Sequence, residues 1–439
     1  MGLRKLVLKG LKDSTYYLFG DTGVKLIRVF ALPVITSLLT VEEFGQYDLL
    51  LLSSAIIEIT IGFGLDSGFA VLVADKNNKS RDLRSMFTLS MCFVALLGTV
   101  VGGIAILLNN TFDWFSQNTL LLVVFYTVFI SLSRLIFNFL RWNEEAKKAA
   151  MANFVGSVSG TLAGLALIFW LDSTVFLLIT GLLLGSVLAL AINLVLVRNI
   201  LVTRFEPGAL KAFKAYLLHS FPFVPSYLMN YFLKSSDRWL IVSFIGLQAL
   251  GEYAVISRIS QLVLFGVNLF GKGFLPIMFK NYTSPDGRRL IKKVYDYFNL
   301  LIIPFICLAF FFSPLILQLF AEDYEHLSLQ LTVMIGANLV IGGMSLSGFG
   351  FTIMKRTIWI PMITGASILI NVIISYFLIV DFGINGVIVG TLIAAVVTAL
   401  IRTWISENMY KFGYSFRLMA MIFTLLTGAS LYLILINPV

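Results

Sequence analysis

Apolar stretches long enough to cross a bilayer recur along the whole chain. A helix spanning the hydrocarbon core needs about 20 consecutive apolar residues. Such windows are read at 14–39, 44–73, 86–108, 118–140, 149–171, 175–197, 215–245, 250–278, 295–319, 327–353, 358–380, 384–401 and 418–436. In lipid a spanning segment must satisfy its own backbone polar groups, and runs of this length can do so only as helices. Composition points the same way. Of 439 residues, 59% are hydrophobic and only 13% charged, about half the charged share of a typical soluble domain. Mean hydropathy is +0.93. The expectation is an all-α, multi-pass membrane protein, with a thirteenth span that makes the count odd.

Orientation follows from the basic residues, because cytoplasmic loops collect Lys and Arg. With the N-terminus inside and the spans alternating, 25 of the 32 Lys and Arg fall in cytoplasmic segments. The other seven, Lys25, Arg28, Arg134, Lys234, Arg238, Arg258 and Lys272, lie within spans, which leaves none for the outer loops. Those loops carry acids instead, among them Glu42, Glu43, Asp113, Asp172, Glu325 and Asp381. The net charge of +9 is therefore explained by topology, and no nucleic-acid partner is expected. The basic start MGLRKLVLKGLKDS reads as a cytoplasmic flank of the first span, not a cleaved signal.

Enzymatic signatures are missing from the sequence. Cys92 and Cys307 sit in apolar stretches, and His219 and His326 are isolated, so neither a disulfide nor a metal site is expected. GKGFLP at 271–276 lacks the spacing and hydroxyl of a phosphate-binding loop. The short outer loops leave no room for a domain that would polymerise or ligate sugars. The expectation is a transporter, not an enzyme, with no cofactor and no ATP hydrolysis of its own.

An internal repeat divides the chain. LLTVEEFGQYDLL from Leu38 resembles FIGLQALGEYAVI from Phe244, sharing Phe44, Gly45 and Tyr47 with Leu250, Gly251 and Tyr253 at an offset of 206 residues. Six spans separate the copies, and an even number keeps both halves in one orientation, so they should be related by an axis along the membrane normal. The expected division is a six-helix lobe over 1–205, a second over 206–405, and an extra span within 406–439.

Charges within spans cost roughly 2.5–3.5 kcal/mol each at mid-bilayer, so they should face a wet cavity or one another. Ser14, Tyr17, Asp21, Lys25 and Arg28 form one helical stripe, with Asp21 and Lys25 spaced for an ion pair. Arg258, Gln261, Asn268 and Lys272 form another, and Glu58 and Asp66 fall on roughly one side of their span. Under the offset, Arg28 corresponds to Lys234 and Asp66 to Lys272. A cationic cavity of Arg28, Lys25, Lys234, Arg258 and Lys272 is expected. Asp66, Asp21 and Glu58 are the candidates for ion coupling, since desolvation lets such acids take up a proton. Asp237 and Arg238 are a candidate interlobe pair, and Arg134 is placed to snorkel toward the inner face.

Four stretches carry a family resemblance: LLTVEEFGQYDLL, GFGLDSGFAVLVAD, SSDRWLIVSFIGLQALGEYAVISRIS and NVIISYFLIVDFGINGVIVGTLIAAVV. Through them the chain resembles flippases of the multidrug/oligosaccharidyl-lipid/polysaccharide superfamily, in its Wzx-type polysaccharide transport branch. The resemblance implies two six-helix lobes in a V, as in the MATE transporters, opening alternately to each face of the inner (cytoplasmic) membrane. It implies a polyprenyl-pyrophosphate-linked oligosaccharide such as an O-antigen unit as substrate, a proton or sodium ion for coupling, and a polysaccharide polymerase and chain-length regulator as partners. A lipid II flippase would share the cationic cavity. A cation-coupled multidrug antiporter would favour acids, whereas the deeper in-span charges are seven basic against four acidic.

The topology is directly testable. Single cysteines placed in 109–117 or 320–326 should react with an impermeant thiol reagent in intact cells, and those in 75–84 or 280–293 should not. Labelling of the 280–293 loop from outside would overturn the two-lobe arrangement.

Overall fold

A computed structural model describes residues 27, 29–74, 80–112, 115–142, 146–201, 208–320, 322–356 and 358–436. Among these residues the chain is helical and contains no strand. The helices are α1 (Val29–Leu38), α2 (Val41–Gly62), α3 (Leu65–Ala74), α4 (Ser80–Phe112), α5 (Gln117–Trp142), α6 (Ala146–Trp170), α7 (Val175–Val197), α8 (Ala209–Ser220), α9 (Phe223–Phe244), α10 (Leu247–Asn281), α11 (Pro285–Gln318), α12 (Ser328–Ser347), α13 (Phe349–Ile353), α14 (Trp359–Met409) and α15 (Phe416–Ile436). Among the described residues nine helices are long and apolar enough to cross a membrane. Large apolar side chains stand exposed along α4 (Leu96, Val100, Ile104, Leu107) and α11 (Leu301, Phe305, Leu308, Phe311, Leu315). Apolar faces of that extent are a liability in water and are at home against lipid. The protein is an all-α, multi-pass membrane protein.

The chain divides into two compact units, Met1–Lys234 and Ser235–Val439. In the first, α2 begins with a capping box: Thr40 Oγ1 accepts from the Glu43 N–H, and the Glu43 carboxylate accepts from the Thr40 N–H at 2.9 Å. The predicted span 44–73 is not continuous. Phe63 and Gly64 both take left-handed backbone, with φ of 49° and 69°, and the chain restarts as α3. Gly64 has no room for a side chain, because a Cβ there would collide with the Ser220 carbonyl oxygen at the end of α8. Tyr216 of α8 donates to the Leu65 carbonyl at 2.5 Å, tying α8 to the start of α3. Below it Phe69, Phe87 and Phe139 pack ring to ring within a core that includes Leu65, Ile136, Leu140 and Val197.

Helices α6 and α7 meet on small residues. A Cβ at Gly156 would strike Ala189, and one at Gly185 would strike the backbone of Gly156 and Gly160. One at Gly181 would strike the backbone of Gly164. The four-residue spacing of these positions lets two backbones approach along a continuous seam, the usual device where lipid gives helices no hydrophobic reason to associate.

In the second unit the repeat reappears as structure. α10 starts at Leu247, which is 206 residues after the start of α2 at Val41. Phe44 and Leu250 are both fully buried, and Tyr47 and Tyr253 nearly so. The 51-residue α14 would measure about 75 Å if straight, far more than a bilayer. It is a hairpin that turns at Gly383, whose φ of 52° and ψ of −133° admit only glycine. Beyond the turn, Gly386 abuts Leu378, Gly390 abuts Ser375, and Asn371 donates to Thr391, so the two legs run antiparallel as the separate spans 358–380 and 384–401. The stretch expected to hold an extra C-terminal span forms a 21-residue helix, α15. It buries Met419, Ile422, Phe423 and Leu426, with Met419 against the Tyr295 hydroxyl of α11.

Gly185→Leu should separate α6 from α7. Overpacking of a tight site costs roughly 1–3 kcal/mol, and backbone contact leaves little room to adjust. A lower melting temperature and a broadened size-exclusion peak in detergent are expected, and an unchanged melt would refute the seam.

Candidate functional site

A cavity of about 380 Å³ opens in the first unit between α2, α3, α5 and α9. Two helices each offer it a single polar stripe. Ser131, Arg134, Leu135 and Asn138 come from α5, and Tyr227, Asn230, Tyr231 and Lys234 from α9. Both sets follow the i, i+3, i+4, i+7 rule for one helix face. Glu58 enters from α2 and Asp66 from the first turn of α3. The break at Phe63–Gly64 places Asp66 at a helix N-terminus, where the peptide dipoles favour a negative charge.

Arg134 Nη1 lies 3.0 Å from Glu58 Oε1. The arginine side chain remains 59% exposed and Glu58 15%, so the pair fixes one edge of the guanidinium while other N–H donors stay open to the cavity. Arg134 does not simply reach for the inner surface. Asp66 Oδ1 accepts from the Tyr227 hydroxyl at 3.1 Å, and the same hydroxyl lies 2.5 Å from Ser67 Oγ. Tyr231 donates to the Leu52 carbonyl at 2.7 Å, tying α9 to α2. A second cavity of about 400 Å³ continues between α5, α6 and α7, and shares Asp66, Arg134 and Asn138 with the first.

The sequence-derived candidates are distributed as follows. Glu58, Asp66 and Lys234 share the first cavity. Asp21, Lys25 and Arg28 lie outside the described residues. Arg258 is partly buried on α10 of the second unit, and Lys272 lies on the same helix. Among the described residues the cavity thus holds two acids and two bases. Asp237 and Arg238, on α9 beyond Lys234, bond within the second unit. Asp237 Oδ2 accepts from Tyr253 at 2.8 Å and lies 3.2 Å from Thr391 Oγ1. Its other oxygen, Oδ1, is buried without a hydrogen bond. Asn371 donates to Thr391 at 3.1 Å, so the cluster ties α9 and α10 to both legs of α14. Arg238 donates to Ser257 at 3.2 Å.

Two further sequence signals mark this site. The Ser131–Arg134–Asn138 stripe interrupts an otherwise apolar span, and Tyr227–Asn230–Lys234 does the same. Pairing Arg134 with Glu58 requires knowing that α2 and α5 are neighbours, which no spacing in the sequence gives.

Because Arg134 is more than half exposed, its ion pair should contribute at most about 1 kcal/mol to stability. Glu58→Gln and Arg134→Gln should therefore melt close to the parent protein. Any activity that draws on this cavity should nonetheless fall several-fold in both, measured on protein of matched abundance. Equal losses of stability and activity would reduce the pair to a structural role.

Several solved membrane transporters share this fold. A lipid II flippase, MurJ, in an inward closed conformation aligns with a TM-score of 0.65 and 16% identity over 97% of this chain and 100% of that one. An inward-facing multidrug resistance transporter of the MATE family aligns with a TM-score of 0.64 and 15% identity over 89% of this chain and 96% of that one. The MATE multidrug transporter DinF-BH gives a TM-score of 0.61 and 15% identity over 93% of this chain and 98% of that one. No curated protein sequence matches the chain. A family model described as polysaccharide biosynthesis protein matches residues 11–282, more than half of the sequence, and the chain belongs to that family.

Proposed function

We propose that this protein is a flippase that carries a polyprenyl-pyrophosphate-linked oligosaccharide from the cytoplasmic to the outer leaflet of the inner membrane, for surface polysaccharide synthesis. The observation that carries the reading is the cavity of the first unit, where Arg134, positioned by Glu58, and Lys234 stand within an all-helical membrane fold. A guanidinium fork binds phosphate oxygens in pairs, and an anion crossing a low-dielectric interior needs such partners along its path. Polyprenyl tails can remain in lipid while only the headgroup passes. The family to which the chain belongs favours a saccharide cargo over a cationic drug. The two units are read as the two lobes, and Arg28, Lys25, Arg258 and Lys272 are the further cations proposed to meet the anionic headgroup.

Coupling to a proton or sodium ion would draw on the acids. Asp66, held by Tyr227 at the head of α3, is the first choice, ahead of Glu58 and Asp21. The Asp237 cluster, with one carboxylate oxygen unbonded and hydroxyl and amide groups around it, is a second place for a small cation. A polymerase and a chain-length regulator would receive the product at the outer face.

In a flippase-null strain, the wild-type gene should restore surface polysaccharide. Arg28→Glu and Lys234→Glu should abolish export with normal protein levels, because each sets a negative charge on an anion's path. Arg28→Lys should retain part of it, keeping charge without the planar fork. Asp66→Asn should lose dependence on the proton gradient. Full export by well-expressed Arg28→Glu and Lys234→Glu proteins would defeat the anionic-substrate reading.

A further inference from the structure

The second cavity has a different chemistry from the first. Its polar lining is largely uncharged: Ser133 and Asn138 from α5, and Asn153 and Ser157 from α6. Asp66 and Arg134 appear only where it joins the first cavity. One of these lining groups, and one group on α7 bonded to a lining residue, are buried and unfulfilled. Ser133 is 3% exposed, and its hydroxyl has no hydrogen-bond partner. Asn193, fully buried on α7, spends its Nδ2 on Asn153 Oδ1 at 3.0 Å and leaves its own Oδ1 unpaired. That bond uses the acceptor of Asn153 and leaves its amide N–H groups for the cavity. Buried hydroxyls and amides without partners are uncommon and call for a ligand or ordered water.

We infer that this cavity between α5, α6 and α7 is a saccharide subsite that receives the sugar next to the pyrophosphate. The inference rests on the flippase reading above and deepens it. Three features select a neutral sugar. Serine hydroxyls and asparagine amides both donate and accept, which suits a polyol or an acetamido group. Phe137, Phe154 and Tyr126 line the same space and add aromatic surface suited to the apolar side of a pyranose. The volume of about 400 Å³ lies within the roughly 300–1,000 Å³ of small-molecule sites. Position is the fourth argument. In such a lipid the first sugar is bonded directly to phosphate, so its subsite must adjoin the phosphate subsite, and Arg134 borders both cavities.

The test uses the purified full-length protein in lipid nanodiscs and three probes: a polyprenyl pyrophosphate, bare or bearing either N-acetylglucosamine or galactose. At least one sugar-bearing probe should bind wild-type protein about three- to tenfold more tightly than the bare lipid, the size of one or two hydrogen bonds. Ser133→Ala removes a hydroxyl without adding bulk, and Ser157→Phe fills the cavity. Both should erase that increment and leave the bare lipid's affinity unchanged. Arg134→Gln should weaken all three probes alike. A wild-type protein that gains nothing from either sugar, or an increment that survives both serine variants, overturns the subsite and assigns the cavity to water or a coupling ion. Failure to bind the bare lipid, with a sugar increment still present, would count against the pyrophosphate path and leave the saccharide subsite standing.

Discussion

Hydrocarbon offers no hydrogen bonds, so a polar group this chain carries into the membrane is costly unless it finds a partner inside the protein. The break between α2 and α3 shows how much follows from that rule. The helix opens at Phe63 and Gly64, and the Tyr216 hydroxyl anchors the restart by donating to the Leu65 carbonyl. The break turns Asp66 into a first-turn residue, and Tyr227 reaches it from α9. A helix that ran straight through would offer neither the N-terminal dipole nor the gap. The first cavity opens beside this break, where Tyr216 and Tyr227 tie the start of α3 to α8 and α9.

The same rule accounts for how the helices hold together. Between lipid-facing helices there is little hydrophobic gain, so close backbone contact and interhelical hydrogen bonds carry the association. The glycine seam of α6 and α7 supplies the first, and it borders the second cavity through Gly156, Gly160 and Gly185. The Asn153–Asn193 bond supplies the second on the same pair of helices. In the second unit the Gly383 turn folds α14 back until Asn371 reaches Thr391, and Asp237 and Tyr253 join them. Packing and polar chemistry are thus laid on the same helix faces, which is why the small residues lie beside the candidate sites.

Electrostatically the first cavity is more balanced than a count of in-span charges suggests. Seven basic residues against four acidic is the count of deeper in-span charges along the sequence. Locally, Glu58 lies against Arg134 and Asp66 bonds to Tyr227. An acid beside an arginine does not cancel it for a ligand, because one carboxylate oxygen occupies one edge of a planar group with five donors. It holds the group in place, and a positioned fork discriminates better than a loose one.

The sequence by itself determined the helices and their membrane character, because both follow from local apolar run length and need no knowledge of neighbours. It also determined the repeat, since Val41 and Leu247 begin equivalent helices at the offset read from the [FL]G-x-Y core. Gly383 was legible as a boundary between spans, but not as the turn of a hairpin that brings Asn371 to Thr391. Only the tertiary structure decided that Arg134 meets Glu58, that Asp66 heads a new helix, and that the polar faces of α5, α6 and α7 enclose a second cavity. These depend on which helices are adjacent and where one breaks. Periodicity along a single helix says which face is polar, and it carries no information about what that face will meet.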